Sequence, residues 1–510
     1  MANLYSDSLF ELIHCLTKSE KRFYKLYASR HTIGDQNNAL IIFNYIAKLS
    51  IYDEEKLIIH FKGESFLNQF SITKSRIYQQ ILECLTDYHQ KKSTEKELMA
   101  NLNSAVVLYN KGLYSQYNKL LISVKKKAIK KDLKSVILRV IQLEKKYHEK
   151  HFYTTINNND LIQLNNDEIS TLKVLEVNSN LWYIKSRLFS QINRFGVIRS
   201  IKEVDVLKEI INPINELEID SNDIESYYLL NHIKSGFYFA THQIEKCSEV
   251  LNKNIVLFEL NQFLIKKSPN RYFGIITNYI YCQIKLGRFD QAKKYLNLLK
   301  EQESKFLKNN DLEIKYFSSR LSLRLFYDLE RMDFSNSDCI IEEIELGLDK
   351  YGHKVGTIRT AFLNFQIGII YLSQEQYKLA LKSINKVIND KNALQKQDIY
   401  SFALLLRIVI HFELKNYDFL TYIIASTKRF LKDKKSLYKF ESVFLKLIQK
   451  IKYEQLNLIE IEEIFSAIIP DIEALKDDKF ELVAFENFDF LAWLRSKVER
   501  KTYLEIRKAG

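Results

Sequence analysis

Leu286-Gly287-Arg288-Phe289-Asp290-Gln291-Ala292 carries the pattern that decides the fold. An apolar, helix-like stretch ends at a short break. An aromatic residue follows, and a small or apolar residue stands three positions later. The same mark recurs at Lys111-Gly112-Leu113-Tyr114-Ser115-Gln116-Tyr117, Gln374-Glu375-Gln376-Tyr377-Lys378-Leu379-Ala380 and Leu414-Lys415-Asn416-Tyr417-Asp418-Phe419-Leu420. It reads as the turn of a helical hairpin whose second helix begins at the aromatic. Weaker copies at Phe152, Phe195 and Phe334, and a degenerate one near His242, bring the steps between markers to 38–47 residues. Self-similarity at such a period means stacked hairpins. The expected fold is all-α: a superhelical solenoid of about eight long hairpins with a helical N-terminal cap.

Composition agrees. The 510 residues include 12 Gly and 3 Pro, a combined share of about 3% where about 12% is usual. Strands and long loops need turn residues, which are scarce here. The apolar fraction of 46% is enough for a large core. The five Cys (Cys15, Cys84, Cys247, Cys282, Cys339) are odd in number, dispersed and without a C-x-x-C pair. That pattern implies a reducing compartment. The first 18 residues lack a basic segment followed by an unbroken apolar one, so no secretory signal is expected. The longest apolar stretch, Tyr272 to Leu286, is interrupted by Thr277, Asn278, Gln283 and Lys285, which argues against a membrane span. A cytoplasmic protein is the expectation.

Three segments follow from the pattern. Residues 1–95 lack the repeat mark and read as short helices forming an N-terminal domain. Thr17-Lys18-Ser19-Glu20 is a capping box, Asp53 caps a fourth helix, and Ser71 or Thr73 caps a fifth. Residues 96–468 are the repeats. Residues 469–510, after Pro470, are C-terminal capping helices, with Phe488, Phe490, Leu491, Trp493 and Leu494 suited to covering an open core.

Phe365-Gln366-Ile367-Gly368 followed by Tyr377-Lys378-Leu379-Ala380, and then Ile384 and Val387, resembles the tetratricopeptide repeat. In that family small residues let paired helices approach closely. Asn278 to Ala292 is a second match. Asp7-Ser8-Leu9-Phe10-Glu11-Leu12-Ile13, Leu16-Thr17-Lys18-Ser19-Glu20-Lys21-Arg22 and Phe488-Asp489-Phe490-Leu491-Ala492-Trp493-Leu494 are similar to a group of largely uncharacterised tetratricopeptide-like proteins of the Bacteroidota. The resemblance implies an architecture and no active site.

No catalytic constellation stands out. Gly347, Gly352 and Gly356 lack the preceding strand of a phosphate loop and read as a hairpin loop. His148 and His151 lie one turn apart but one residue short of the H-E-x-x-H spacing. His14 and Cys15, adjacent on a helix, diverge by about 100°. An enzyme is not expected, and neither a cofactor nor a metal is implied.

Binding remains. A partner peptide or helix lying along the groove formed by the first helices would meet Thr277, Asn278, Lys285, Asn364 and Gln366. A nucleic-acid partner is the alternative. Residues 111–150 hold 12 Lys and Arg against 3 Asp and Glu, and on one helix Lys127, Lys130, Lys131 and Lys134 would share a face. Leu57–Phe61 and the stretch from Lys74 and Arg76 loosely resemble a helix-turn-helix, with residues 62–72 too long for its turn. The net charge of +13 partly reflects a Lys-, Ile- and Asn-rich composition.

Overall fold

The computed structural model describes residues 4–30, 37–90, 94–220, 222–306, 310–390, 397–434, 436–451 and 458–509. Among them the chain is all-helical, with no strand. No helix there is long and apolar enough to cross a membrane. Two compact units divide between Leu175 and Glu176.

The first unit opens with α1 (Leu4–Cys15), α2 (Lys18–Arg30), α3 (Asn38–Ile46), α4 (Glu54–His60) and α5 (Phe70–Gln90), the last continuing a 3-10 turn at Ser65–Gln69. Local chemistry sets several of these starts. The Thr17 amide and hydroxyl both donate to Glu20 Oε2 at 2.8 Å, and the Glu20 amide returns a bond to Thr17 Oγ1 at 3.3 Å. Asn37 caps α3 and Asp53 caps α4. The expected cap at Ser71 or Thr73 does not form. The chain is already helical there, and the Thr73 hydroxyl donates back to the Gln69 carbonyl. These helices share one core, from Leu9 to Cys84. A separate core from Leu98 to Leu164 begins with α6 (Thr94–Asn110), α7 (Tyr114–Lys130) and α8 (Lys134–Lys150). The division near residue 95 therefore separates two cores of one unit. α9 (Asn158–Phe195) contains the boundary between the units.

The second unit continues with α10 (Ile201–Ile211), α11 (Ile224–Ala240), α12 (Ile244–Leu260), α13 (Gln262–Lys267), α14 (Pro269–Lys285), α15 (Phe289–Glu301), α16 (Glu303–Phe306), α17 (Asn310–Arg331), α18 (Ser337–Tyr351), α19 (Thr357–Ser373), α20 (Tyr377–Asn389), α21 (Gln397–Glu413), α22 (Tyr417–Asp433), α23 (Lys439–Ile451), α24 (Leu458–Ala474), α25 (Phe490–Val498) and α26 (Tyr503–Ala509). Neighbouring helices pair, and α14, α17, α19 and α21 pack on one another in sequence. Pro470 lies inside α24 and does not end it.

One turn builds most hairpins. The left-handed residue is Gly112, Asp132, His242, Gly287, Met332, Glu375 or Lys415, with φ between 51° and 75°. The amide after it donates to a carbonyl five residues back: Leu113 to Leu108, Leu133 to Ala128, Gln243 to Tyr238, Arg288 to Gln283, Asp333 to Asp328, Gln376 to Tyr371, and Asn416 to His411, all within 3.0 Å. This closure satisfies carbonyls that the helix end would leave orphaned. At the four clearest marks the aromatic opens the next helix, and Tyr117, Ala292, Ala380 and Leu420 three positions on are buried. Phe195 instead ends α9, and Phe334 lies in the connection before α18.

Close approach uses glycine twice in particular. A Cβ at Gly368 would lie 2.6 Å from Ile384 Cδ1, so α19 and α20 meet there. A Cβ at Gly347 would lie 2.0 Å from the Phe317 ring. Gly347 is thus a buried position inside α18 and not part of a loop.

Candidate functional site

The expected groove residues are largely engaged within the second unit. Gln366 is buried; it accepts from Ser322 Oγ at 2.7 Å and donates to the Ser322 carbonyl at 3.2 Å. Asn364 is buried and donates to the Thr360 carbonyl. The Thr277 hydroxyl bonds back to the Phe273 carbonyl at 3.0 Å. Lys285 sits 3.4 Å from Glu330 and donates to the Glu486 carbonyl at 3.0 Å. Of the five, Asn278 alone is exposed.

Glu486 belongs to the segment that precedes α25, and this segment reaches far across the unit. The His242 ring lies between Glu486 and the Ile198 carbonyl, with Nδ1 3.5 Å from Glu486 Oε1 and Nε2 3.2 Å from the carbonyl. Burial lowers the His242 pKa, but Glu486 and the carbonyl together raise it further, and the net shift is upward. Burial also opposes ionisation of Glu486, yet His242 and Lys285 hold its carboxyl below the usual range.

A second anchor is Arg199, fully engaged in the interior. Its Nε donates to the Phe480 carbonyl at 3.1 Å and its Nη2 to Glu481 at 2.9 Å; its Nη1 donates to Glu441. Its guanidinium lies 4.0 Å from the Tyr438 ring centroid. Glu481 also accepts from the Lys439 and Phe440 amides, which caps the start of α23. Burial pushes the Glu441 carboxyl upward more strongly than Arg199 lowers it. Further along, Trp493 Nε1 donates to Glu413 at 2.6 Å. Phe488, Phe490, Leu491, Trp493 and Leu494 are all buried. Phe490 and Trp493 pack on Phe412 of α21, Phe440 and Phe444 of α23 and Phe465 of α24. Phe480, Glu481 and Glu486, just before α25, reach Arg199 before α10, His242 after α11 and Lys285 at the end of α14. Sequence reasoning missed these anchors because partners such as Arg199 and Glu481, 282 residues apart, leave no local signature.

The basic candidates lie in the first unit. Lys74 is buried and pairs with Glu54 at 2.6 Å, with its ammonium 4.8 Å from the Phe70 ring centroid. Arg76 is exposed beside a groove lined by Asn38, Asn68, Gln69, Thr73 and Gln79. The link between α4 and the following helical turn is only Phe61–Glu64, shorter than the sequence reading allowed. The lysine row is split by a turn. α7 ends at Lys130, Asp132 takes the left-handed conformation, and Lys134 opens α8. Lys127, Lys130, Lys131 and Lys134 therefore do not share one helix face. Lys127 lies 3.5 Å from Glu97, and Lys134 lies 3.0 Å from Asp132.

Other polar candidates have structural partners. His148 bonds Thr155 and His151 bonds the Tyr147 carbonyl. Among the described residues no three His, Cys, Asp or Glu side chains gather as metal ligands would. Cys282 is buried beside Cys247, and this neighbour together with burial pushes its thiol pKa up, away from a reactive thiolate.

A groove lies along α22, bordered on one side by Gln449 of α23. Its volume is about 370 Å³, and it is lined by Thr421, Ile424, Ala425, Lys428, Arg429, Lys432 and Gln449. No protein-family model, curated protein or solved structure matches the chain.

Proposed function

We propose that this chain is a superhelical solenoid of tetratricopeptide-like hairpins that serves as a cytoplasmic protein–protein interaction scaffold, without catalytic activity. The recurrent left-handed turn is the observation that carries this reading, because one repeated connection generates one repeated hairpin stack. The serial packing of α14, α17, α19 and α21 supports it. In such a stack the first helices border an inner groove. Here the chain's own residues 476–498 use Lys285, His242 and Glu413 on those helices and their turns. The partner surface is accordingly the outer face, built by second helices such as α15, α20 and α22.

Cross-linking mass spectrometry on the protein purified from its native cell tests this. A protein partner linked to lysines of α15, α20 or α22, and retained after nuclease treatment, is expected. A chain that carries no partner, or carries one only on residues 476–498, contradicts it.

The short Phe61–Glu64 link favours a second reading, in which α4 and the helix after it contact nucleic acid. Asn68, Gln69, Ser75, Arg76 and Gln79 are exposed on that helix. Against it, residues 1–90 hold ten Lys and Arg and ten Asp and Glu, so the excess positive charge that draws nucleic acid is missing there. Loss of the cross-linked partner on nuclease treatment would favour this reading.

A further inference from the structure

We infer that the groove along α22 receives an acidic peptide segment of the partner, with an apolar side chain seated on the groove floor. This names a partner class and a site for the scaffold reading, and rests on it. Three observations lead there. First, every ionised group lining the groove is a cation: Lys428, Arg429 and Lys432. Ion pairs are common elsewhere on this surface, yet among the described residues none of the three has a carboxylate within 4.0 Å. Second, the surroundings reinforce that sign. Residues 414–450 contain nine Lys and Arg against three Asp and Glu, and one of the three, Glu441, is buried on Arg199. Uncompensated cations that lie close together repel one another, and an anionic partner relieves this.

Third, the floor is aliphatic. Ile424, which is buried, and Ala425 line it together with Thr421. At about 370 Å³ the groove is near the lower limit for ligand sites, enough for one or two side chains. No aromatic ring lines it, so it lacks the stacking platform that single-stranded nucleic-acid sites combine with basic residues. Carboxylates flanking an apolar side chain match a cationic rim over an apolar floor.

The test is fluorescence polarisation on the full chain with a labelled Glu- and Leu-rich peptide of about 12 residues. The Gln-for-Glu peptide and an oligothymidylate of similar length serve as controls. Binding of the acidic peptide at about 50 mM salt is expected, weakening as salt rises. The triple variant Lys428→Gln, Arg429→Gln, Lys432→Gln should bind at least about tenfold more weakly, because several rim charges act together. If the triple variant is less stable than the wild type, the single Lys432→Glu variant replaces it, with at least a severalfold loss expected. Three results would overturn the inference: no binding of the peptide, equal binding by the variants, or preference for the oligothymidylate. None of these touches the scaffold reading, which stands or falls on the cross-linked partner.

Discussion

Left-handed backbone at non-glycine residues is a recurrent local strain in this chain. Asp132, His242, Met332, Glu375 and Lys415 adopt a conformation that costs an L-residue about 1–2 kcal/mol and glycine much less. Lys415→Gly should therefore raise stability by about 0.5–1 kcal/mol after the added unfolded-state entropy is counted, read as a higher denaturation midpoint. The reverse change, Gly287→Ala, meets no neighbouring atom within 4 Å, so its effect would measure backbone strain, offset by the reduced unfolded-state entropy, without a steric clash. Asp328 offers a pH-dependent case. It has a carboxylate oxygen without a hydrogen-bond partner, and burial lifts its pKa to about 6, with Arg324 offsetting only part. A raised carboxyl pKa means that ionisation opposes folding as pH rises above the ordinary value of 3.8. Asp328→Asn should stabilise the protein at about pH 7.5, by about 1 kcal/mol given partial exposure, and have little effect near pH 4. His242 has the opposite sign. Its pKa lies above the ordinary 6.5, so its contribution is complete below that value and disappears as pH rises through the folded pKa. Glu486 lies below its ordinary 4.5, so its share persists above that value and is lost in acid. His242→Ala should cost most between these limits, near pH 5.5, and least near pH 9, in thermal melts across that range.

Helices and their connections were legible where chemistry is local. The aromatic marks at Tyr114, Phe289, Tyr377 and Tyr417 each open a helix, and the capping residues Thr17 and Asp53 stand where their side chains indicate. The Asp132 turn was hidden because Lys131-Asp132-Leu133-Lys134 carries no aromatic and lies inside a lysine run that mimics one helix face. Gly347 misled for a similar reason: a glycine marks a loop in sequence but here makes room for the Phe317 ring. Gly368 and Ala380, the small residues of the tetratricopeptide-like segment, lie where α19 and α20 meet. Gly368→Leu must push Ile384 aside and should cost about 1–3 kcal/mol in the unfolding free energy. The connection before α25 was the least legible element, since Glu481 and Glu486 look like ordinary surface carboxylates. Removing residues 476–509 would expose Phe412, Phe440, Phe444 and Phe465, now covered by Phe485, Phe490 and Trp493. Aggregation or loss of cooperative unfolding is expected, and a soluble, equally stable product would refute the packing role.

For the molecule as a whole, size is reached without a single large core. Each unit keeps its own cores, and in the second unit pairs of helices are joined by a recurrent turn. In the proposed scaffold reading, function follows from which faces are left uncovered. On this account the inner side of the second unit is closed by the chain itself, through Arg199, His242 and Lys285, and partners meet the outer helices. Native-state hydrogen exchange on the full chain tests that claim most directly. Amides of residues 483–496 should exchange as slowly as those of α14, because both lie within buried packing. Exchange of residues 483–496 at the rate of an open loop, alongside a protected α14, would mean that the inner groove is vacant and open to a partner.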